Sequence, residues 1–246
     1  MGTLYFDCSM GAAGDMISAA LFELTPNKHL MLHKLNHLGL SGIKFIPEKC
    51  EKQGIQGTNL TVLIHGEAED MGTIENTIHH HHMTLKDIKD IVSEMKVSNS
   101  IKKSVYEIYN IIAEAESKAH KCRVEEVHFH EVGAMDAIAD ITAACMLMQE
   151  LCPDKVIVSP IHVGSGTVTC AHGILPVPAP ATKNILEDVP YYSSEIQGEL
   201  CTPTGAAILR YFADTFKLVK SVGGVAGRGI GKRDFVRPNV LTVYAL

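Results

Sequence analysis

Four consecutive histidines, His79 to His82, are the densest concentration of metal-binding chemistry in the chain. Imidazole nitrogen is of borderline softness and favours nickel, copper and zinc over magnesium or calcium. On a flexible loop such a run offers two or three nitrogens to one ion, weakly and with little geometric selectivity. A selective site needs ligands fixed by hydrogen bonds behind them, so the run suits capture and local concentration of metal. The plain alternative is a polar linker. An engineered tag fits poorly, because the run is internal and leads into a capped helix.

A second constellation lies in Val127-His128-Phe129-His130-Glu131-Val132-Gly133-Ala134-Met135-Asp136-Ala137-Ile138-Ala139-Asp140. In an extended segment residues two apart point the same way, so His128 and His130 share a face. Asp136 and Asp140, four apart, share a face of the helix that follows, near its N-terminus, where the dipole favours ionised carboxylates. Two histidines and two or three carboxylates therefore converge within one strand, turn and helix. That set suits manganese, nickel or zinc. Otherwise His128 packs at a strand end and the aspartates cap backbone amides, although an aspartate pair on an apolar helix is costly without a cation.

The N-terminal turn Asp7-Cys8-Ser9-Met10-Gly11-Ala12-Ala13-Gly14-Asp15 follows a strand and opens a helix, the geometry that turns backbone N–H groups toward an anion. It has neither the Gly-Lys-Ser/Thr of a Walker A loop nor the spacing of a dinucleotide fingerprint. Ser9, Gly11 and Gly14 are its candidate phosphate-contacting residues, and Asp7 and Asp15 add candidate metal or hydroxyl contacts. His172, beside Gly173, and Glu199, just before a helix, are candidate lining groups from two further turns. Arg228, Lys232 and Arg233 offer positive charge for a phosphate, with a solvated surface as the alternative.

These residues need a scaffold, and the patterning supplies one. Residues 3–8 read as a short buried strand, followed by a helix from Asp15 to Leu24 and an amphipathic helix over 27–39. Residues 43–65 alternate in two stretches around Gly54, the pattern of a β-hairpin. Residues 66–83 are polar and read as an exposed, flexible histidine-containing loop. Thr84-Leu85-Lys86-Asp87 resembles a capping box, and Ser98 or Asn99 caps a longer helix to about His120. An extended 127–132 precedes an apolar helix from Gly133 to Leu151, then strands at 155–163 and 166–170. A short helix follows the turn at 175–180, and Pro203 suits the first turn of another. A glycine-rich turn at 223–231 and a final strand close the chain. The expected fold is one α/β domain over 1–246, a mixed β-sheet with flanking helices.

The 246 residues are 46% hydrophobic and 20% charged, enough for a sizeable core. The net charge of -6 argues against nucleic acid or an anionic membrane as the main partner. Seven cysteines without a CxxC pair give neither a zinc ribbon nor a disulfide framework. With no signal peptide or membrane-length apolar run, a reduced cytoplasmic setting is expected. Thirteen histidines against 6% aromatic residues lean the composition toward metal.

Together these segments resemble the LarC family, the nickel-insertion proteins of nickel-pincer cofactor biosynthesis. The resemblance is carried by LYFDCSMGAAGDM, the HHHH tract, AEAESKAH, VHFHEVGAMDAIADI, HVGSGTVTCAHGILPVPAPAT and ELCTPTGAAIL, in family order over nearly the whole chain. It implies a chelatase of the lyase class that inserts nickel into pyridinium-3,5-bisthiocarboxylic acid mononucleotide. The reaction it implies is CTP-dependent, uses manganese or magnesium, and forms nickel–carbon and nickel–sulfur bonds. On that reading His79, His80, His81 and His82 collect nickel. His128, His130, Asp136 and Asp140 hold an ion, and His130, Glu131 and Asp136 act on the substrate. Ser9, Gly11, Gly14, Asp15 and His172 meet the substrate itself. Family members continue into a C-terminal CTP-binding domain, so this chain is expected to be the N-terminal part, working with that domain or a companion chain. A homo-oligomer is a further expected assembly.

Two other function classes compete. A nickel store or metallochaperone would need the histidine run and not the His128–Asp140 cluster. A metal-dependent hydrolase would need a complete site and turnover by this chain alone.

Overall fold

The computed structural model describes residues 2–68, 83–129, 132, 134–170 and 173–246. The chain opens with β1 (Thr3–Asp7), α1 (Gly14–Leu24) and α2 (Lys28–Leu35), then the hairpin β2 (Ile43–Lys52) and β3 (Ile55–Ile64) with a short β4 (Glu67–Ala68). Next come β5 (Met83–Thr84), α3 (Leu85–Glu94), α4 (Asn99–His120), β6 (His128–Phe129) and α5 (Met135–Leu151). β7 (Lys155–Val158) leads into the short strands β8 (Ile161–His162), β9 (Gly164–Ser165), β10 (Thr167–Cys170) and β11 (Gly173–Pro176). The chain ends with α6 (Pro180–Ile185), β12 (Tyr191–Tyr192), β13 (Gly198–Glu199), α7 (Pro203–Phe212), β14 (Thr215–Phe216), β15 (Val225–Ile230) and β16 (Val240–Ala245).

One mixed sheet organises these elements, in the order β14-β7-β1-β16-β15-β3-β2 with β4 along β3. β1 runs parallel to β7 and antiparallel to β16, and β15 runs antiparallel to β16. β1, β7, β14, β15 and β3 therefore end at one edge of the sheet. The register places Asp7, Thr242 and Arg228 in one row across β1, β16 and β15. The expected α/β mixed sheet with flanking helices is the fold observed.

α1 packs on β15, β3 and β16, α5 packs on α1, and α4 packs on α5, α6 and α7. A helix covered on two sides must be apolar nearly all round. In α1 the residues Met16 through Phe22 and Leu24 are all buried. α5 is buried along most of its length for the same reason. No helix among the described residues is long and apolar enough to cross a membrane, and no disulfide links the cysteines there.

The caps read from the sequence hold. Thr84 and Asp87 form the reciprocal capping box of α3, Ser98 accepts from the Ile101 N–H at α4, and Thr202 caps α7 with Pro203 at its first position. The hairpin turns at Gly54, φ +83°. Three expectations shift. The helix expected over 27–39 spans only Lys28–Leu35, capped by Asn27. The strand expected over 155–163 is interrupted after Val158 by Ser159 and Pro160. Within the extended segment expected over 127–132 the described residues form a strand at His128–Phe129, and α5 spans Met135–Leu151, with residues 130, 131 and 133 outside the described residues.

The glycine-rich run at 223–231 is a correction of a different kind. Instead of a turn it forms β15, an interior strand between β16 and β3. α1 crosses it so closely that a Cβ on Gly227 or Gly229 would collide with the carbonyls of Ala20 and Met16. Glycine here serves close backbone approach.

Candidate functional site

Ligands of open α/β sheets bind outside the carboxyl ends of the strands. At that edge, Asp7 closes β1 and its Oδ1 accepts the N–H of Ser9 at 3.0 Å. The chain then turns back through Gly11, φ +78°, whose N–H donates to the Cys8 carbonyl. The Ala12 N–H donates to the Leu200 carbonyl at 3.0 Å, and the Thr202 N–H donates back to the Ala12 carbonyl at 3.0 Å. A Cβ on Gly11 would run into the Leu200 backbone, so the loop and the 198–202 segment are stitched face to face. The N–H groups of Ser9, Gly11 and Ala12 thus bond within the protein.

The start of α1 meets the starts of α5 and α7. A Cβ on Gly14 would lie 3.0 Å from Asp140 Cβ and 3.1 Å from Thr204 Cγ2, and Ser18 Oγ donates to the Asp140 carbonyl at 3.2 Å. Asp136 sits in the first turn of α5, whose N-cap Ala134 has no capping side chain. Its Oδ1 is buried with no hydrogen-bond partner. A buried carboxylate oxygen left in that state costs about 1–3 kcal/mol or more, which a bound cation would offset.

Asp15 connects the two groups. Burial pushes its carboxyl above the ordinary aspartate range and the charge of Asp136 adds to that, while the Lys232 ammonium and the N–H of Met16 pull it back. Behind them Tyr109 is fully buried, its hydroxyl donating to the Val132 carbonyl at 3.0 Å. Burial, with the negative charges of Asp136 and Asp140, pushes its phenol well above the usual value. Asp15, Asp136, Asp140, Tyr109 and Lys232 therefore share one electrostatic neighbourhood, with carboxylates three to one over the cation.

The loop carrying Lys232 and Arg233 is held from both sides. Lys52 donates to the carbonyls of residues 232 and 233 and pairs with Asp234 at 2.7 Å. Phe235 packs on a small apolar cluster of Met10, Ile196 and Leu200. Arg233 approaches Glu199 at 4.0 Å. Arg228, by contrast, lies within β15, its N–H bonded to Glu23.

On the other side of the turn stands His162. Its backbone N–H donates to the Cys8 carbonyl at 3.1 Å and its Nδ1 meets the Ser9 carbonyl oxygen at 3.0 Å. A carbonyl only accepts, so Nδ1 carries the proton. The ring is 1% exposed, its Nε2 has no partner, and Tyr192 stacks on it at 4.6 Å and 10°. Nothing in the local sequence signals this, because burial and tautomer are set by Ser9 and Tyr192, both distant along the chain. Lys232 and Tyr109 are likewise brought to the aspartates only by the fold.

The sequence-derived candidates divide accordingly. Asp15, Asp136, Asp140 and Gly14 come together, and Ser9 lies at the base of the same turn. His128 is exposed on β6, paired with Thr84 and within electrostatic reach of Asp87. His79 to His82, His130, Glu131 and His172 lie outside the described residues. Among the described residues no three His, Cys, Asp or Glu side chains are placed to hold one ion.

A protein-family model described as "Nickel insertion protein" matches residues 4–245. Three similar proteins carry the name "Pyridinium-3,5-bisthiocarboxylic acid mononucleotide nickel insertion protein". That of Clostridium kluyveri is 42% identical over 251 residues, covering 99% of this chain and 62% of its own. That of Geobacillus kaustophilus is 40% identical over 245 residues, covering 99% and 59%. That of Staphylococcus saprophyticus is 38% identical over 239 residues, covering 97% and 58%. The chain thus spans about 60% of the length of these relatives. No solved structure matches it.

Proposed function

The chain belongs to the nickel insertion protein family, and on that premise we propose that it is the N-terminal part of an enzyme inserting nickel into pyridinium-3,5-bisthiocarboxylic acid mononucleotide. The observation that carries this is the match along residues 4–245, joined to relatives named for that substrate. The reaction is CTP-dependent, of the lyase class, and proceeds in the cytoplasm.

Nickel is substrate here. It must take two thiocarboxylate sulfurs and one ring carbon as ligands, and the carbon must lose its proton to a base. Asp136, with a buried Oδ1 that lacks a partner, is suited to receive that proton, and His130 and Glu131 complete the catalytic set. Asp136 and Asp140, with His130, hold the ion, and His79, His80, His81 and His82 deliver it; His128, exposed on β6, is not set with the two aspartates around one ion. Ser9, Gly11, Gly14, Asp15 and His172 face the nucleotide. Because the Ser9 and Gly11 amides bond inside the protein, the phosphate charge is met by the N-terminus of α1 and by Lys232. CTP, with manganese or magnesium, belongs to the C-terminal domain or companion chain.

The test is formation of the nickel cofactor from the dithio precursor, CTP, manganese and nickel, with this chain alone and with a separately produced C-terminal domain. Product only in the combined mixture is expected. Tight nickel binding with no product in either mixture would make the chain a storage or metallochaperone module instead.

A further inference from the structure

We propose that His162 is a nickel ligand, offering the lone pair of Nε2 to the ion before the ion passes to the sulfurs of the substrate. This rests on the nickel-insertion reading and adds a residue that reading does not use. The Nδ1–H is directed to the Ser9 carbonyl at 3.0 Å, so in the singly protonated ring Nε2 is a bare acceptor. A metal-bound histidine ordinarily has this same arrangement, with the second nitrogen donating to a carbonyl or carboxylate that sets tautomer and ring angle. Here that support is in place and the partner of Nε2 is missing.

The position fits. His162 is bonded through its backbone to Cys8, one residue beyond Asp7, at the carboxyl edge where the nucleotide is placed. Tyr192 holds the ring plane at 4.6 Å and is itself 41% exposed, so the imidazole lies one side chain below the surface. The negative charge of Asp7 reaches that tyrosine and the positive charge of Arg237 opposes it, so the unpartnered Nε2, and not the local charge, is what marks the place for an ion. Coordination shares one electron pair and moves no proton, since the Nδ1–H stays on the ring and is donated to the Ser9 carbonyl. Leaving for a thiocarboxylate sulfur restores the free nitrogen, so the ligand is regenerated each cycle.

The replacement His162→Asn separates this role from a structural one. An asparagine amide can still donate to the Ser9 carbonyl, whereas the Nε2 lone pair is lost. The full chain with His79 to His82 changed to Gln is titrated with nickel(II) against a chromophoric chelator, with and without His162→Asn. The expected result is a nickel affinity at least tenfold weaker in the Asn variant with an unchanged melting temperature. Equal affinities would overturn the proposal. Should the variant not fold, nitrogen-15 histidine spectra of the unmodified chain decide it: nickel(II) must shift or broaden the His162 Nε2 signal, and an undisturbed signal overturns it. If the parent chain with its C-terminal domain makes no cofactor, the nickel-insertion reading has failed. If the parent makes cofactor and His162→Asn binds nickel as tightly, only the His162 assignment has failed.

Discussion

Gly14 and Asp140 face each other with little room for another carbon: a Cβ on the glycine would stand 3.0 Å from Asp140 Cβ and 3.1 Å from Oδ2, so the aspartate would have to give by a few tenths of an ångström. The glycine opens α1, the aspartate lies one turn into α5, and the contact sets how the two helix starts meet. Gly14→Ala removes a helix-unfavourable glycine, worth up to about 1 kcal/mol, but overpacks the junction at a cost of about 1–3 kcal/mol. We expect a net loss of about 1 kcal/mol by urea denaturation. Cofactor formation should fall further than that loss explains, because Asp140 is displaced.

Asp136→Asn keeps the side-chain shape and removes the charge behind the unpartnered oxygen. Activity is expected to fall at least a hundredfold while the melting temperature holds or rises. The Asp15 carboxyl, pushed up partly by Asp136, should move down toward its ordinary value, as read by carbon-13 titration. Wild-type activity in this variant would remove Asp136 from the chemistry.

Two carboxylates should respond to pH with opposite sign. Asp15 has a raised folded pKa, mainly from burial. Its contribution is therefore complete below the unfolded value and is lost as pH rises through the folded one. Asp15→Asn should gain on wild type as pH climbs from below the ordinary carboxylate range to neutrality. For Glu23, burial works upward, but hydrogen bonds from Lys49, the Arg228 N–H and Thr58 win and lower its pKa. Its contribution is present above the unfolded value and lost as pH falls through the folded one. Glu23→Gln should cost on the order of 1 kcal/mol at neutral pH, and the difference should close in acid. Denaturant midpoints across pH check both.

Changing His79 to His82 to Gln should weaken nickel uptake several-fold at limiting metal and leave the rate at saturating nickel nearly unaltered. A delivery role predicts that split, because capture raises local concentration without touching the reacting atoms. A rate lost at saturating nickel would put the run inside the reaction.

Helix starts were legible in the sequence at several side-chain caps, although the Asn27 cap of α2 was not. Thr84 with Asp87, Ser98, and Thr202 with Pro203 all act within three residues of the end they cap. β15 was not legible, because its glycines answer to α1, more than 200 residues earlier in the chain, and glycine reads locally as a turn. Asp136 and Asp140 could be paired from their spacing on one helix. Their neighbours Asp15, Tyr109 and Lys232 come from three other parts of the chain, and no period in the sequence links them. His162 is the extreme case: its residue type was visible, but its hydrogen bond to Ser9 and its stacking under Tyr192 exist only once the fold brings these residues together.

α1 joins the site to the rest of the molecule. Asp15 stands at one end, Glu23 near the other is tied to β2, β3 and β15, and the residues between are enclosed by the sheet and α5. Such a buried strut has no cheap local opening, so its amides should exchange with deuterium only when the whole domain unfolds. The spacing among the carboxylates would then have no loosened intermediate setting. Substitutions elsewhere in the core would reduce how many molecules carry the site while leaving its shape alone, and activity per folded molecule would stay constant as the population falls.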